Sequence, residues 1–312
     1  MKVRQWGCAV LLSLAAVTAW AQDAKTVIAN ASRAMGLDGL NSLYYYGSGK
    51  NFSLGQNNNA NQPWPQTPLN DYTRAIDFTV PASRATWSTY AIPVTGGAAS
   101  LQRGQQNILP ASAGNWGQQL EIWTTPWGFL KGAAANNATV QRQTIDGKRV
   151  QVVTWNAPVK SPGGKDYRVV GHINSDGLVE KVTTWVEHPI YGDLQVDTNY
   201  NFYRDNNGLK YPTEIVQRRA GWPMFTAQIL GAFANPSKLS ELMTIPPPPA
   251  GGPPGGGPPP GGAPPPTTSE QLAPGVFRIK GAYNSMAMEF KGVQITWGSS
   301  PAGRTWADCY KD

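Results

Sequence analysis

Histidine and cysteine are the side chains of this sequence best suited to hold a metal ion. The chain contains two histidines, His172 and His188, and two cysteines, Cys8 and Cys309. A zinc site takes about three His, Cys or carboxylate ligands in catalysis and four in a structural site. The two histidines are not at ligand spacing, and each lies in or at the end of a predicted strand. We therefore interpret them as ordinary sheet histidines and predict no metal site and no cofactor.

Nucleophilic and acid–base catalysis find no better support in the residue pattern. The chain has no Gly-x-Ser-x-Gly turn that would expose a nucleophilic serine. Cys309 is far in sequence from both histidines and has no motif around it. Pairs of carboxylates could converge in the fold, as in glycosidases, but their spacing singles out no pair. The sequence predicts no catalytic residue.

Tryptophan is abundant, with twelve residues in the chain. Large aromatic side chains at strand spacing most often pack in the core, because each buries a large apolar area. A concave sheet lined by them could also bind lipid acyl chains or another hydrophobic ligand. Both interpretations stay open for the tryptophans in the middle of the chain, which are Trp64, Trp87, Trp116, Trp123, Trp127, Trp155, Trp185 and Trp222.

Alternating polarity predicts the strands that would carry these side chains. From Leu194, apolar or β-prone side chains at every second position to Phe202 share one face, and Gln195, Asp197 and their polar successors share the other. A period of two is typical of a sheet with one buried face. Other strands are predicted over 43–47, 72–80, 84–90, 118–123, 149–155, 167–173, 178–187, 209–218 and 224–230, with hairpin turns at 146–147, 175–177 and 207–208.

Two segments have helical spacing, and one segment has the composition of a loop. Val27, Ile28, Ala31, Ala34 and Met35 predict a helix capped by Asp23 and ended by Gly36. Residues 126–135 predict a second helix, and 56–68 predict an exposed loop rich in Asn, Gln and Pro. The expected fold class is therefore α+β. It consists of a mostly antiparallel β-sheet, which could form a half-barrel, with one or two helices packed on it.

The N-terminus has the layout of a secretory signal peptide. Lys2 and Arg4 are followed by an apolar run over 8–17, and Ala19 and Ala21 are small residues at the positions that a signal peptidase reads. The apolar run is too short to cross about 30 Å of hydrocarbon. The sequence predicts cleavage after Ala21, export to the periplasm or the exterior, and no stable membrane span afterwards.

Net charge and its distribution limit the choice of partners. The formal net charge is +7, but the basic residues are scattered along the chain. Domains that bind nucleic acids usually cluster basic residues with exposed aromatic rings. We therefore expect no nucleic-acid partner, and we expect a hydrophobic ligand or a cell-envelope component instead.

The sharpest change in composition occurs after residue 243. Residues 246–266 are almost entirely Pro and Gly, which cannot bury side chains in a core, so 244–267 is predicted to be a linker. The resulting organisation is a signal peptide at 1–21, an antiparallel β-rich domain at 22–243, this linker, and a short segment at 268–312. About 46 residues are too few for an independent core without a metal, a disulfide or a partner.

The C-terminal segment resembles a known enzyme superfamily. Residues 271–290 read Gln-Leu-Ala-Pro-Gly-Val-Phe-Arg-Ile-Lys-Gly-Ala-Tyr-Asn-Ser-Met-Ala-Met-Glu-Phe, which resembles the opening strands of the metallo-β-lactamase superfamily. That family's His-x-His-x-Asp-His metal motif comes later, and no position up to Asp312 matches one of its ligands. The resemblance implies a short β-hairpin stub from a truncated metallo-β-lactamase-like domain. The whole chain would then be an exported, catalytically inactive fragment of such a hydrolase.

A second resemblance concerns the β-rich domain. The Ala-Ser-Arg-Ala-Met-Gly run at 31–36, followed by a strand-rich region, is similar in layout to outer-membrane lipoprotein carriers. In those proteins a half-open antiparallel sheet wraps around a helix and holds acyl chains. This resemblance implies the alternative function, a periplasmic module that binds a hydrophobic ligand or an envelope partner through a concave β-sheet.

The signal peptide leads to a prediction about the exported protein. Because the basic, apolar and small-residue regions stand in the order that signal peptidase requires, the mature chain should begin at Gln22. Intact-mass measurement of protein recovered from the cell envelope or the medium tests this prediction. A mass that includes residues 1–21 would contradict it.

Overall fold

The computed structural model describes residues 24–53, 64–91, 98, 100–110, 114–188, 192–246, 268–280, 285–290 and 293–297. Its contacts divide the chain into two units, Met1–Ile245 and Pro246–Asp312. The first unit contains an eleven-stranded sheet and four short helices, and the second contains a four-stranded sheet. No helix in the described part of the chain combines the length and apolar character needed to cross a membrane.

The elements of the first unit alternate between strands and a few helices. Helix α1 occupies the described residues 24–35. The other helices are α2 Trp116–Trp123, α3 Pro126–Ala135 and α4 Leu239–Met243. The strands are β1 Ser42–Phe52, β2 Gln66–Asp77, β3 Ala82–Ala91, β4 Ser100–Ile108, β5 Thr139–Ile145, β6 Lys148–Asn156, β7 Arg168–Ile173, β8 Val179–His188, β9 Gly192–Asn206, β10 Leu209–Arg219 and β11 Trp222–Ala234.

The large sheet is an open, antiparallel array in the order β4-β3-β2-β1-β11-β10-β9-β8-β7-β6-β5. Strands that follow one another along the chain are neighbours, except β4 and β5. The one pairing between non-consecutive strands in this order is that of β1 with β11, where Leu43 lies opposite Ala234. This single long-range pairing joins the β1–β4 half of the sheet to the β5–β11 half. Strands β4 and β5 form the two edges, so the sheet does not close into a barrel.

Helices α2 and α3 cover one face of the sheet, here called the inner face. Tryptophan indole N–H groups attach them to strand backbones, because a buried indole needs an acceptor. Trp116 Nε1 donates to the carbonyl of Trp185 at 3.0 Å, and Trp127 Nε1 donates to the carbonyl of Lys210 at 3.0 Å. The hydroxyl of Tyr200 donates to the carbonyl of Thr124, between the two helices. The core cluster joins the sheet to α2 and α3, and it also includes the buried side chains of α1.

Two glycines allow α3 to approach the sheet closely. A Cβ atom at Gly132 would lie 2.5 Å from the Trp155 ring, and one at Gly171 would lie 2.1 Å from the Phe129 ring. Both distances are well below van der Waals contact, so a side chain at either position would push the helix away from β6 and β7. The Phe129 and Trp155 rings pack 6.1 Å apart between centroids in this space.

Most of the predicted elements are present. Helix α1 buries Val27, Ile28, Ala31 and Met35, and its predicted cap Asp23 lies outside the described residues. Predicted strands at 84–90, 149–155, 167–173, 178–187, 194–203, 209–218 and 224–230 correspond to β3 and β6–β11. The predicted loop at 56–68 lies mostly outside the described residues, and its last three positions belong to β2.

The strand predicted over 118–123 is wrong, because these residues form α2. Asn115 caps this helix in the extended conformation and accepts a hydrogen bond from the Gln118 backbone, while the Gln118 side chain accepts one from the Asn115 backbone. This reciprocal capping box satisfies amide groups that the start of a helix otherwise leaves without partners. Trp116, Leu120 and related apolar positions then face the sheet.

The sequence pattern missed the two edge strands and misplaced one side chain. Strands β4 and β5 are largely exposed and polar, so they lack the alternation by which a buried strand is detected. Phe202 was expected on the buried face of β9, but its side chain is 73% exposed. Its backbone has a φ of +55°, and the next residue, Tyr203, packs against the core instead.

The fold class is also corrected, from α+β to a mostly β fold. The helices after α1 are 8, 10 and 5 residues long, whereas the sheet has eleven strands. The helical segments are too short to form a layer of their own, so they act as a partial cover for one sheet. The expected mostly antiparallel sheet is observed, but it is open.

The second unit corrects the expected β-hairpin stub at 268–312. Its described residues form a four-stranded antiparallel sheet of β12 Thr268–Ala273, β13 Val276–Lys280, β14 Ser285–Phe290 and β15 Val293–Trp297. Ile279 and Ala287 are the apolar side chains buried among its described residues. The predicted Pro/Gly linker and domain boundaries stay predictions, since residues 247–267 lie outside the described ones.

The packing of α3 on the sheet predicts the effect of removing Trp155. This side chain is 2% exposed and contacts the Trp116, Trp123 and Phe129 rings. Trp155→Ala should lower the free energy of unfolding by about 3–5 kcal/mol, because it leaves a cavity in the core. Trp222→Ala is the matched control, since Trp222 is 62% exposed and its loss should change stability by about 0.5 kcal/mol or less. Urea denaturation followed by circular dichroism gives the measurement, and equal effects of the two substitutions would contradict it.

Candidate functional site

A cavity of about 420 Å³ opens on the inner face of the sheet, where β1–β4 and β10–β11 meet α2. Its volume is within the range of about 300–1,000 Å³ that is typical of small-molecule sites. Described side chains that line it come from six strands and one helix. They are Asn51, Phe52, Leu69, Tyr72, Arg74, Trp87, Gln105, Gln106, Glu121, Gln217, Arg219, Met224 and Phe225.

One wall of the cavity is apolar and largely aromatic. The rings of Tyr72 and Phe225 pack with centroids 5.5 Å apart, which links β2 to β11. Trp87 of β3 lies opposite Gly104 of β4, where a Cβ atom would be 2.2 Å from the indole. The absence of a side chain at Gly104 therefore leaves room for the indole beside the cavity.

A bulge in β2 places two of these side chains on the inner face. The pairing of β2 with β3 shifts in register between Asn70 and Thr73, and Asp71 has a φ of +49°. An extra residue in one strand of an antiparallel pair changes which residues share a face. Leu69 and Tyr72, three positions apart, are consequently both buried at 1% exposure.

The Arg74 guanidinium lies at the centre of the polar wall. Its Nε donates to the Tyr72 hydroxyl at 2.9 Å, and its Nη1 donates to the Ser83 hydroxyl at 2.8 Å. Its Nη2 donates to Gln106 Oε1 at 2.8 Å and lies 3.3 Å from Glu121 Oε2. The network connects β2, β3, β4 and α2 through one side chain that is only 3% exposed.

Burial and charge together set the protonation of this network. Burial alone would lower the pKa of Arg74, but Tyr72 and Glu121 outweigh it and raise that pKa above its ordinary value. Burial also raises the pKa of the Tyr72 hydroxyl. Arg74 therefore remains a cation and Tyr72 a neutral phenol throughout the physiological pH range.

Arg219 is the second cation of the lining. Its Nε is buried, and no hydrogen-bond partner for it is present among the described residues. Burial lowers the pKa of Arg219, and the charge of Glu121 raises it only in part. Because a buried guanidinium N–H without a partner is costly, this position is suited to receive an acceptor from a ligand.

Neither histidine belongs to this lining. His172 is on β7 next to Gly171, whose Cα faces α3, so its side chain is on the outer face beside Lys181. Burial and then the Lys181 charge lower the pKa of His172. His188 ends β8, where burial and then Arg219 lower its pKa. Among the described residues no group of three or more His, Cys, Asp or Glu is placed to hold a metal ion, and Cys309 lies outside them.

The tryptophans divide between the two interpretations. Trp116, Trp127 and Trp155 are buried in the core, whereas Trp87 lines the cavity. The charged lining residues Arg74, Glu121 and Arg219 were not recognised in the sequence. The sequence offered one signal for Arg74 and Arg219, which is that a charged residue occupies a position where the alternation of the strand places side chains on the inner face. No such signal existed for Glu121, because its segment was interpreted as a strand.

No known family's model matches this chain, and no curated protein matches it. Three of the solved structures that are similar to it are the following. A domain described as an outer membrane lipoprotein-sorting protein from Vibrio parahaemolyticus has a TM-score of 0.41 at 9% identity, over 72% of this chain and 100% of that one. A LolA superfamily protein from Nitrosomonas europaea has a TM-score of 0.40 at 9% identity, over 71% and 97%. A DUF1329 family protein from Desulfovibrio piger has a TM-score of 0.38 at 8% identity, over 70% and 94%.

No family model supports the resemblance of the C-terminal segment to the metallo-β-lactamase superfamily. The expectation of a metallo-β-lactamase-like hydrolase fragment is therefore withdrawn.

The Arg74 network predicts a strong effect of its removal. Arg74→Met should lower the free energy of unfolding by about 3–5 kcal/mol, because it leaves buried acceptors and the Glu121 charge without their partner. The double variant Arg74→Met with Glu121→Gln should lose less than Arg74→Met alone, since the stranded charge is then absent. Arg103→Met on the exposed face of β4 is the control, with an expected change of about 0.5 kcal/mol or less. Urea denaturation of the three variants tests the coupling, and a double variant that loses as much stability as Arg74→Met alone, or more, would contradict it.

Proposed function

We propose that this protein is an exported binding module that holds a hydrophobic ligand against the inner face of its large sheet. The observation that carries the proposal is the cavity of about 420 Å³ between α2 and the sheet, whose walls combine aromatic and aliphatic side chains with amide and charged groups. In small-molecule sites, apolar walls provide affinity and polar groups fix the orientation of the ligand.

The apolar lining provides the driving force for binding. Phe52, Trp87, Met224 and Phe225 line the cavity and are all partly exposed, so a ligand that covers them removes apolar surface from water. Such burial contributes roughly 25 cal/mol for each Å² of apolar surface. A lipid acyl chain or a comparable apolar group would gain from this wall, whereas a fully polar solute would not.

The open architecture supports access to the site. The sheet ends at β4 and β5 without closing, and α2 and α3 are short, so the helices cover only part of the inner face. A ligand can therefore reach the cavity without passing through a closed barrel. Together with the predicted signal peptide, this favours a role in the periplasm or outside the cell, where a hydrophobic molecule needs shielding from water.

A neutral fluorescent probe tests the proposal. N-phenyl-1-naphthylamine should bind the full mature chain with increased fluorescence, because it is apolar and uncharged. Asn51→Trp should weaken this binding, since Asn51 lines the cavity and the larger ring would fill it. Lys50→Trp is the matched control, because Lys50 is the preceding residue of β1, is exposed, and does not belong to the lining.

The control variant also separates binding from stability. Both variants should melt within a few degrees of the unchanged protein, and only Asn51→Trp should lose probe affinity. Equal probe binding by the two variants, or no probe binding by the unchanged protein, would overturn the proposal.

A further inference from the structure

We infer that the ligand is an anionic amphiphile, in which one negatively charged oxyanion binds Arg219 and an alkyl chain lies against the aromatic wall. The inference rests on the proposed function and names its ligand class. The oxyanion could be the carboxylate of a fatty acid or the phosphodiester of a lipid headgroup, since both offer acceptors to a guanidinium.

The charge balance of the lining is the first reason. Among the described lining residues, Arg74 and Arg219 are cations and Glu121 is the one carboxylate, which leaves an excess of one positive charge. The other polar lining groups are neutral amides and a phenol. A buried charge is costly unless it is paired, so a ligand with one negative charge would balance this cavity, and a cation would not.

The two arginines are not equivalent, which is the second reason. The Arg74 guanidinium already donates to Tyr72, Ser83 and Gln106, and Glu121 lies within ion-pair distance of it. Most of the N–H donors of Arg74 are therefore already bonded to groups of the protein. Arg219 has a buried Nε without a partner among the described residues, and Glu121 affects it only through its charge. The available guanidinium is therefore that of Arg219.

The position of Arg219 relative to the apolar wall is the third reason. Arg219 and Gln217 lie on the inner face at the end of β10, and Gln217 is paired in register with Phe225 of β11. Phe225 in turn packs on the Tyr72 ring. The cation thus lines the same cavity as the Tyr72–Phe225 aromatic pair, which is the arrangement that a molecule with a charged head and an apolar chain would match.

Paired ligands that differ only in charge test the inference. Calorimetric titration of the full mature chain with dodecanoate and with dodecan-1-ol, at neutral pH where the carboxylate is ionised, compares the two heads on one chain. Dodecanoate should bind at least tenfold more tightly. Lysophosphatidylglycerol and lysophosphatidylcholine form a second pair. Both contain a phosphodiester, but the first lipid has a net negative charge and the second is a zwitterion. This second pair shows whether the head is a carboxylate or a lipid phosphate.

Neighbouring arginines provide the matched variants. Arg219→Gln should weaken binding of the anion by about 10- to 100-fold, the range expected for charge-assisted hydrogen bonds, while dodecan-1-ol affinity stays within about twofold. Arg219→Lys should restore part of the loss because it keeps the charge. Arg218→Gln should change neither ligand, since Arg218 precedes it on β10 and does not belong to the lining.

Failure of this inference can be distinguished from failure of the proposed function. Equal affinity for the charged and uncharged heads, or an unchanged anion affinity in Arg219→Gln, would overturn the anionic ligand while leaving a hydrophobic site in place. No binding of any of the four ligands, together with no binding of the neutral probe, would overturn the proposed function as well. Preference for either anion that is lost in Arg219→Gln supports the inference.

Discussion

The attachment of α2 and α3 to the sheet through buried indole N–H groups is the constraint on which the other features depend. An open sheet of eleven strands has an inner face that needs an apolar cover, and α2 and α3, which form part of it, are fixed by the hydrogen bonds from Trp116 and Trp127 to strand carbonyls. Gly132 and Gly171 remove the side chains that would hold the helix away. The place where the helices stop covering the sheet is the place where the cavity opens.

The electrostatics of the cavity follow from the same geometry. Helix α2 carries Glu121 into the cavity, where its carboxylate meets the Arg74 guanidinium from β2. Placing both groups out of water is costly, and it is offset by hydrogen bonds from Arg74 to two further strands. The pair therefore acts as a fixed structural element of the wall. Arg219 has no comparable set of acceptors among the described residues, which makes it the chemically distinct group of the site.

The outer face of the sheet differs from the inner face in its side-chain interactions. It carries ion pairs and polar ladders, such as Lys181 with Asp197 at 2.9 Å, and the Arg168 guanidinium over the Trp185 ring at 5.0 Å. Tyr44, Tyr46 and Phe233 stack there at centroid distances of 6.2–6.3 Å. His172 belongs to this face, where it lies opposite Lys181.

Period-two alternation in the sequence predicted most of the strands, and apolar residues at helical spacing predicted α1. Both patterns are local, because they follow from the direction of side chains along the backbone. Turn residues such as Asp146 and Gly147 likewise determined hairpins. Where local pattern was ambiguous, tertiary contacts decided: residues 118–123 could alternate as a strand, but the Asn115–Gln118 capping box and the burial of Leu120 against the sheet made them a helix. The alternation pattern did not predict the polar edge strands β4 and β5, since they are stabilised by backbone pairing with a neighbouring strand and not by burial of apolar side chains.

The candidate site is formed almost entirely by tertiary contacts. Arg74, Glu121 and Arg219 are far apart in the sequence, and no spacing rule connects them. They meet because β1 pairs with both β2 and β11, which brings β2 and β10 into the same part of the sheet, and because α2 lies across it. The sequence by itself determined that a one-sided antiparallel sheet would form and that large aromatic rings would lie on it. Only the folded chain decided which rings became core, which ring lines a cavity and which guanidinium remains available, because those outcomes depend on contacts between residues far apart in the sequence, such as Trp127 with Lys210 and Tyr72 with Phe225.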